Sequence, residues 1–317
     1  MYNLTVIIPH YESVETLKNL LHTIPSSEDI QVIVIDDHSI KTKASFQQLA
    51  SEYQNENVLF VENRHGKGAG GCRNTGLELA DGKWLLFADD DDFFTENFYN
   101  KVSQYFETNL EVVFFTPTSM ELETGELTER HEEYAKLTKQ ALKDPSKFND
   151  LNLRYKYMVP WSKLISREFI EEHQIKFEEV MSSNDVMFST LVGYWLQNYH
   201  VSDEVIYCVT KSAGSLITTV SEASYFTRLK VFITYYKFLK TNLDKDSFAL
   251  LDLSGLTSII TAIKYKLPSK AILKALYLLT SNRVTLIKGK YINPMFVLNK
   301  VKFYLKEYAN EKDYHTK

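Results

Sequence analysis

The chain has 317 residues, 44% hydrophobic and 24% charged, with a net charge of −5. This composition fits a globular protein of one large domain, or a domain plus an appendage, and argues against a polycation built to hold nucleic acid. The charge is unevenly divided, because residues 225–317 hold 17 Lys and Arg against 6 Asp and Glu, leaving an acidic body suited to a cation and a basic tail suited to an anionic surface.

The opening Met1-Tyr2-Asn3-Leu4-Thr5 enters a strand without the basic stretch of a signal peptide, and Leu4 to Ile8 is a β-branched strand ending at Pro9. A helix is predicted from Val14 to Leu21, then a strand Gln31 to Ile35 running into Asp36-Asp37. A helix from Ala44 to Tyr53 precedes the short strand Val58 to Val61. Gly66-Lys67-Gly68-Ala69-Gly70-Gly71 then opens a helix through Leu79. The strand Trp84 to Phe87 ends in Asp89, Asp90, Asp91 and Asp92, and Glu111 to Phe115 forms a further strand. Such alternation argues a mostly parallel sheet with helical crossovers, whose acidic strand ends share one edge.

Residues 119–150 read as a polar excursion with one helix, and from Tyr225 onward the pattern is helical with regularly placed lysines. The longest apolar candidate for a membrane span, Phe248 to Ile263, is interrupted by Asp252 and Gly255, short of the roughly 18 residues a span requires. Cys72 and Cys208 show neither metal-ligand spacing nor a disulfide framework, which fits a reducing cytoplasm.

Four adjacent carboxylates repel one another unless something positive lies among them. A hard divalent cation, Mg²⁺ or Mn²⁺, accounts for the cluster economically, while a solvated turn with Asp92 capping the next helix is the plainer account. The glycine-rich segment suits either a phosphate cradle or a tight helix-entry turn, and it lacks the Gly-Lys-Ser/Thr ending of a P-loop. No Ser-His-Asp or Cys-His nucleophile arrangement stands out. His22, His131 and His200 read as structural or surface residues.

Four segments together resemble inverting glycosyltransferases of family 2 with the GT-A fold. They are Val6-Ile7-Ile8-Pro9-His10-Tyr11-Glu12, Val34-Ile35-Asp36-Asp37-His38-Ser39, Gly70-Gly71-Cys72-Arg73-Asn74-Thr75-Gly76, and Phe87-Ala88-Asp89-Asp90-Asp91-Asp92. The last is similar to the Asp-x-Asp metal motif. The resemblance covers about residues 1–220 and implies a nucleotide-diphospho-sugar transferase fold: an α/β, Rossmann-like, mostly parallel sheet flanked by helices, with a helical C-terminal region. It divides the chain into a catalytic domain, 1–222, and a basic helical region, 223–317. Within the catalytic domain it implies a nucleotide-sugar half, about 1–118, and an acceptor half, about 119–222.

The resemblance also implies roles. Pro9, Tyr11, Glu12 and Asp37 would line the nucleoside pocket, with His10 and His38 nearby. Lys67, Arg73, Asp89 and Asp90 would face the donor, and Asp91 with Asp89 would hold Mn²⁺ or Mg²⁺. Asp185 would be the general base, with Asn184 standing where the family usually has Glu, and Glu178 and Glu179 as substitutes. Trp161, in Val159-Pro160-Trp161-Ser162-Lys163-Leu164, would stack on the acceptor sugar or else pack in the core. Lys211 would meet the diphosphate.

The implied activity is transfer of a sugar from a nucleotide donor, UDP-linked by expectation, to a saccharide or lipid-linked saccharide in bacterial surface or capsular polysaccharide assembly. A cytoplasmic location follows, with the basic tail either packed on the body or lying on the inner face of the membrane. Two readings stay open: a sugar-nucleotidyltransferase, and a non-catalytic carbohydrate- or membrane-surface-binding protein with a structural cation.

Overall fold

The computed structural model describes residues 2–53, 57–211 and 221–287. The first half alternates as β1 (Leu4–His10), α1 (Val14–His22), β2 (Ile30–Asp36), α2 (Lys43–Glu52), β3 (Val58–Glu62), α3 (Ala69–Leu79) and β4 (Trp84–Phe87). Then follow β5 (Phe93–Phe94), α4 (Phe98–Ser103), β6 (Val112–Phe114), β7 (Thr118–Glu121), α5 (Glu132–Lys143), α6 (Lys147–Lys156), β8 (Lys163–Ser166) and α7 (Arg167–Glu172). The remainder is α8 (Asp185–Trp195), β9 (Tyr199–Val201), β10 (Tyr207–Lys211), α9 (Glu222–Asn242), α10 (Lys245–Leu250), α11 (Leu256–Lys264) and α12 (Ser269–Ser281).

Seven strands form one sheet in the order β3-β2-β1-β4-β8-β6-β9, with β8 antiparallel to both neighbours and the other pairs parallel. β1 and β2 are buried along their whole length, as expected of strands covered by helices on both faces. Alternate residues point to opposite layers. Val6, Ile8 and Leu86 pack with Leu17 and Leu20 of α1, whereas Ile7, Ile33 and Phe87 pack with Cys72, Phe177 and Phe188. A Cβ on Gly76 would lie 2.4 Å from the Ile7 side chain, so this glycine lets α3 lie close against β1.

Pro9 is buried within β1, which its lack of an N–H would ordinarily forbid in a central strand. The pairing with β4 ends at Ile7 opposite Phe87, so Pro9 falls beyond the two-sided ladder. A second sheet, β5-β10-β7, stands apart.

The excursion at 119–150 holds more structure than its polarity suggests: β7 and two helices, α5 and α6, instead of one. Pro145 divides the helices, holding Asp144 in an extended conformation, and Ser146 caps α6 by accepting from the Asn149 N–H. α9 then runs 21 residues. Its Tyr235 and Leu239 pack on Leu151, Tyr155 and Met187 of the sheet-bearing part, and its Tyr225, Phe226 and Leu229 pack on Ala262, Ala271 and Ala275. Among the described residues no helix is long and apolar enough to cross a membrane.

Candidate active site

β1, β2 and β4 run in parallel, so their C-terminal ends meet at one edge. The strand order reverses between β1 and β4, and open α/β sheets bind ligands at such a switch point. His10 to Glu12, Asp36 to His38 and the aspartate tetrad all stand there.

The four aspartates do four different things. An Asp89 oxygen accepts from the Arg73 guanidinium at 2.5 Å, and the Asp89 N–H donates to the Tyr207 hydroxyl oxygen at 2.8 Å. Asp90 turns inward to bond His10 Nδ1 at 2.8 Å, and it also accepts from the Ser13 hydroxyl and the Tyr11 N–H. A donor contact by this carboxylate would have to compete with these bonds. Asp92 is buried and accepts from the Tyr207 hydroxyl at 2.8 Å and the Thr210 N–H at 2.7 Å. It caps no helix, since α4 begins only at Phe98; it is a strut to β10.

Asp91 differs from the other three. Its carboxylate accepts from its own backbone N–H and, among the described residues, from no other residue. Burial, then the charges of Asp89 and Asp90, push its pKa up to about 6, against the opposing pull of Arg130. A half-buried carboxylate crowded by like charges is a fitting ligand for a hard cation. No group of three His, Cys, Asp or Glu converges among the described residues. Asp91 with Asp89 nearby thus fits an ion that keeps water and phosphate oxygens as its other ligands, the habit of Mg²⁺.

The nucleoside side is built differently from the expectation. Glu12 takes a left-handed φ of 57° and turns its carboxylate onto the loop before α2. There it accepts from the N–H groups of Ile40 (2.8 Å), Lys41 (3.0 Å) and Thr42 (2.9 Å). Those bonds, Lys41 first, lower its pKa to about 2. Glu12 therefore anchors a loop and does not line a pocket with a free carboxylate. Because its folded pKa lies below the unfolded value, the stabilisation is present above the unfolded pKa and is lost as pH falls toward 2. Glu12→Ala is expected to lower the melting temperature at neutral pH, with the gap from the parent closing below about pH 4 in thermal melts.

Asp37 is buried and accepts from Asn63 at 2.8 Å and from the Gly68 N–H at 2.9 Å. The Gly66 N–H donates to Glu179 at 2.9 Å. Protein carboxylates thus already occupy two N–H groups of the glycine-rich loop. A Cβ on Gly71 would meet the Gly66 carbonyl at 1.9 Å. The loop is a tight helix entry rather than an open phosphate cradle. Tyr11 is 49% exposed, with Lys67 Nζ 5.2 Å from its ring centroid, so both remain available at the mouth. His10 is buried, stacked 5.0 Å from Phe46 and bonded to Asp90; His38 is exposed.

On the opposite wall, Asp185 opens α8 and burial raises its pKa. Arg73 is the bridge across the site: it reaches Asp89 on one side and Asn184 at 2.8 Å on the other. Its Nε is buried without a partner among the described residues. Asn184 thus accepts from Arg73 with a neutral oxygen and leaves Asp185 as the acidic member of the pair. Glu179 is engaged with Gly66 and His65, and burial raises the pKa of Glu178.

Trp161 is a core residue. It is 6% exposed, stacked 5.7 Å from Tyr207 and edge-on to Tyr134 at 5.2 Å. With one face on Tyr207 and edge contacts to Tyr134 and Tyr157, the ring serves packing rather than the expected sugar-stacking role. Trp161→Ala should cost about 3 kcal/mol in urea unfolding. An unchanged stability with a raised acceptor KM would instead restore the stacking role. The backbone of Lys211 ends β10; its side chain lies outside the described residues, so the diphosphate role expected of it is not addressed.

Four contributors carried no local signal. Tyr207 and Thr210 brace the tetrad from β10, where they read as ordinary strand residues. Arg130 donates to the Thr210 carbonyl and acts electrostatically on Asp91. Lys163 is buried beneath α8, donating to the Tyr157 carbonyl at 2.6 Å and to Ser189 at 3.2 Å, and burial lowers its pKa to about 7.

A mostly parallel sheet with an acidic edge at its switch point and helices at its C-terminal side defines the chain as a GT-A glycosyltransferase fold. Residues 5–174 match the family model described as glycosyl transferase family 2, and the chain belongs to that family. It is 25% identical over 234 residues to the poly(ribitol-phosphate) β-N-acetylglucosaminyltransferase TarS of Staphylococcus aureus, covering 68% of this chain and 36% of that protein. The chain spans between 12% and 40% of the length of three curated relatives that it matches.

Among solved structures, S. aureus TarS 1–349 in complex with UDP-GlcNAc aligns with a TM-score of 0.64 at 19% identity, over 87% of this chain and 80% of that one. The mannosyltransferase PcManGT of Pyrobaculum calidifontis, in complex with GDP-Man and Mn²⁺, aligns with a TM-score of 0.54 at 14% identity, over 99% and 88%. At these identities the structural likeness speaks for the fold.

Proposed function

We propose that the chain is a metal-dependent, inverting glycosyltransferase that moves a sugar from a nucleoside diphosphate donor, UDP-linked, to a saccharide or lipid-linked saccharide of the bacterial surface. The carrying observation is the inequality of the tetrad. Asp89, Asp90 and Asp92 are tied to other residues, while the Asp91 carboxylate is bonded only to its own N–H among the described residues. TarS, a relative named for N-acetylglucosaminyl transfer and solved with UDP-GlcNAc, supports the donor class. PcManGT, solved with Mn²⁺, supports the metal.

In this reading the acceptor hydroxyl gives its proton to an Asp185 carboxylate oxygen as it attacks the anomeric carbon from the face opposite the diphosphate. The new C–O bond forms as the bond to the diphosphate oxygen breaks, and its electron pair leaves with the nucleotide, inverting the configuration. Burial brings the Asp185 pKa closer to neutrality, which makes it a better base while it remains ionised. Arg73 fixes the spacing between the two walls by holding Asp89 and Asn184 together. A bound Mg²⁺ or Mn²⁺ at Asp91 supplies charge neutralisation for the leaving diphosphate.

The test is a panel of UDP- and GDP-sugars with and without Mn²⁺, followed by thermal shift and by release of nucleoside diphosphate. Stabilisation by UDP-sugar that chelation removes is the expected result. Absence of stabilisation by any nucleotide sugar with either metal sinks the proposal, and pyrophosphate release from a sugar phosphate and a nucleoside triphosphate would replace it with nucleotidyl transfer.

A further inference from the structure

The charge asymmetry reaches its extreme beyond the sheet. From Leu253 to Ile287 the chain carries Lys264, Lys266, Lys270, Lys274 and Arg283 and not one Asp or Glu. Most of this stretch forms α11 and α12. α12 turns its small residues inward, with Ala271 and Ala275 buried beside Leu279 against α9. Its other side leaves Leu273 65%, Leu276 39% and Tyr277 68% exposed. These three stand at i, i+3 and i+4, so they share one face, and Lys270 lies on that face one turn earlier.

A single exposed leucine needs no explanation, but a cluster of large apolar side chains within a stretch whose charged residues are all cationic does. We infer that the outward face of α12 is a docking surface for an anionic lipid bilayer. The aliphatic side chains enter the boundary between headgroups and acyl chains, and Tyr277 sits at headgroup depth, where amphipathic rings prefer to be. Lys266 and Lys270 keep their ammonium groups among the lipid phosphates while their stems cover apolar surface. Charge argues against the other occupants: pairing of this face with itself in a two-fold dimer would bring cations against cations, and a soluble polyanion would leave the leucines without a partner. The inference stands on the surface alone and is independent of the transfer chemistry.

Flotation of the full chain with vesicles decides it. Vesicles of phosphatidylcholine with about 30% phosphatidylglycerol should retain the protein, vesicles of phosphatidylcholine alone should retain little, and about 0.5 M salt should release most of it, as the screening length shortens. Leu273→Ser/Leu276→Ser and, separately, Lys266→Gln/Lys270→Gln should each lower the partition coefficient on the order of tenfold, with melting temperatures near that of the parent. All of these residues lie away from the strand ends, so the melting temperature serves as the folding control for both variants. Equal retention on both vesicle types, or anionic-vesicle binding that neither variant weakens, would overturn the assignment. So would concentration-dependent dimerisation that the leucine variant abolishes without any vesicle binding.

Discussion

Asp185→Asn is expected to cut sugar transfer between about 100- and 10,000-fold, the usual worth of a general base, while leaving donor binding in thermal shift intact. The amide keeps the shape at the start of α8 and cannot accept the acceptor's proton. Because burial raises the Asp185 pKa, the acid limb of the parent's kcat/KM profile should lie above the ordinary carboxylate range: the rate falls as pH drops and the base protonates. That limb should be missing from the residual activity of the variant. A variant that transfers within about threefold of the parent would move the role to Glu178, whose pKa burial also raises.

Asp91→Asn and Asp89→Asn should separate two neighbours that a motif treats as equals. Asp91 is crowded by the charges of Asp89 and Asp90 and, among the described residues, is bonded only by its own backbone N–H, so its amide should melt at the same temperature as the parent or higher when no metal is present. With UDP-sugar and Mn²⁺ the order should reverse: the parent gains on the order of 3 kcal/mol at a hundredfold excess over Kd, the variant gains little, and turnover falls on the order of 100-fold. Asp89→Asn removes the partner of a guanidinium that is 5% exposed. It should therefore destabilise the protein with or without metal, because an uncompensated buried charge is left behind. Equal melting behaviour of the two variants would refute the division of labour.

Much of the sheet was legible because its signals are local. Continuous β-branched runs gave β1 and β2, and their acidic ends gave the edge at which a ligand should bind. The family match extends only over residues 5–174, so Asp185 and β10 lie past it and rest on the geometry. What the sequence concealed was the use of each carboxylate. Glu12 and Asp37 sit in motif positions, yet each is spent on backbone N–H groups supplied by another loop, a pairing that only the fold reveals. Trp161 was ambiguous for a similar reason, since its partners Tyr207 and Tyr134 are remote in the chain. The polar stretch at 119–150 misled because α5 buries a narrow face and α6 buries two asparagines among its apolar residues, and only Pro145 marked their division.

The hydroxyl of Tyr207 joins the Asp89 amide to the Asp92 carboxylate across 115 residues of sequence between Asp92 and Tyr207. This gives the site a timetable. When the ribosome has delivered the tetrad, the strand that fixes it is still unmade, and contacts so far apart in the chain close late in folding. The nascent N-terminal half would carry the whole acidic motif without its working geometry, and competence for a cation would arrive only when β10 docks. A chain ended before Tyr207 should therefore keep much of the parallel sheet and lose the site.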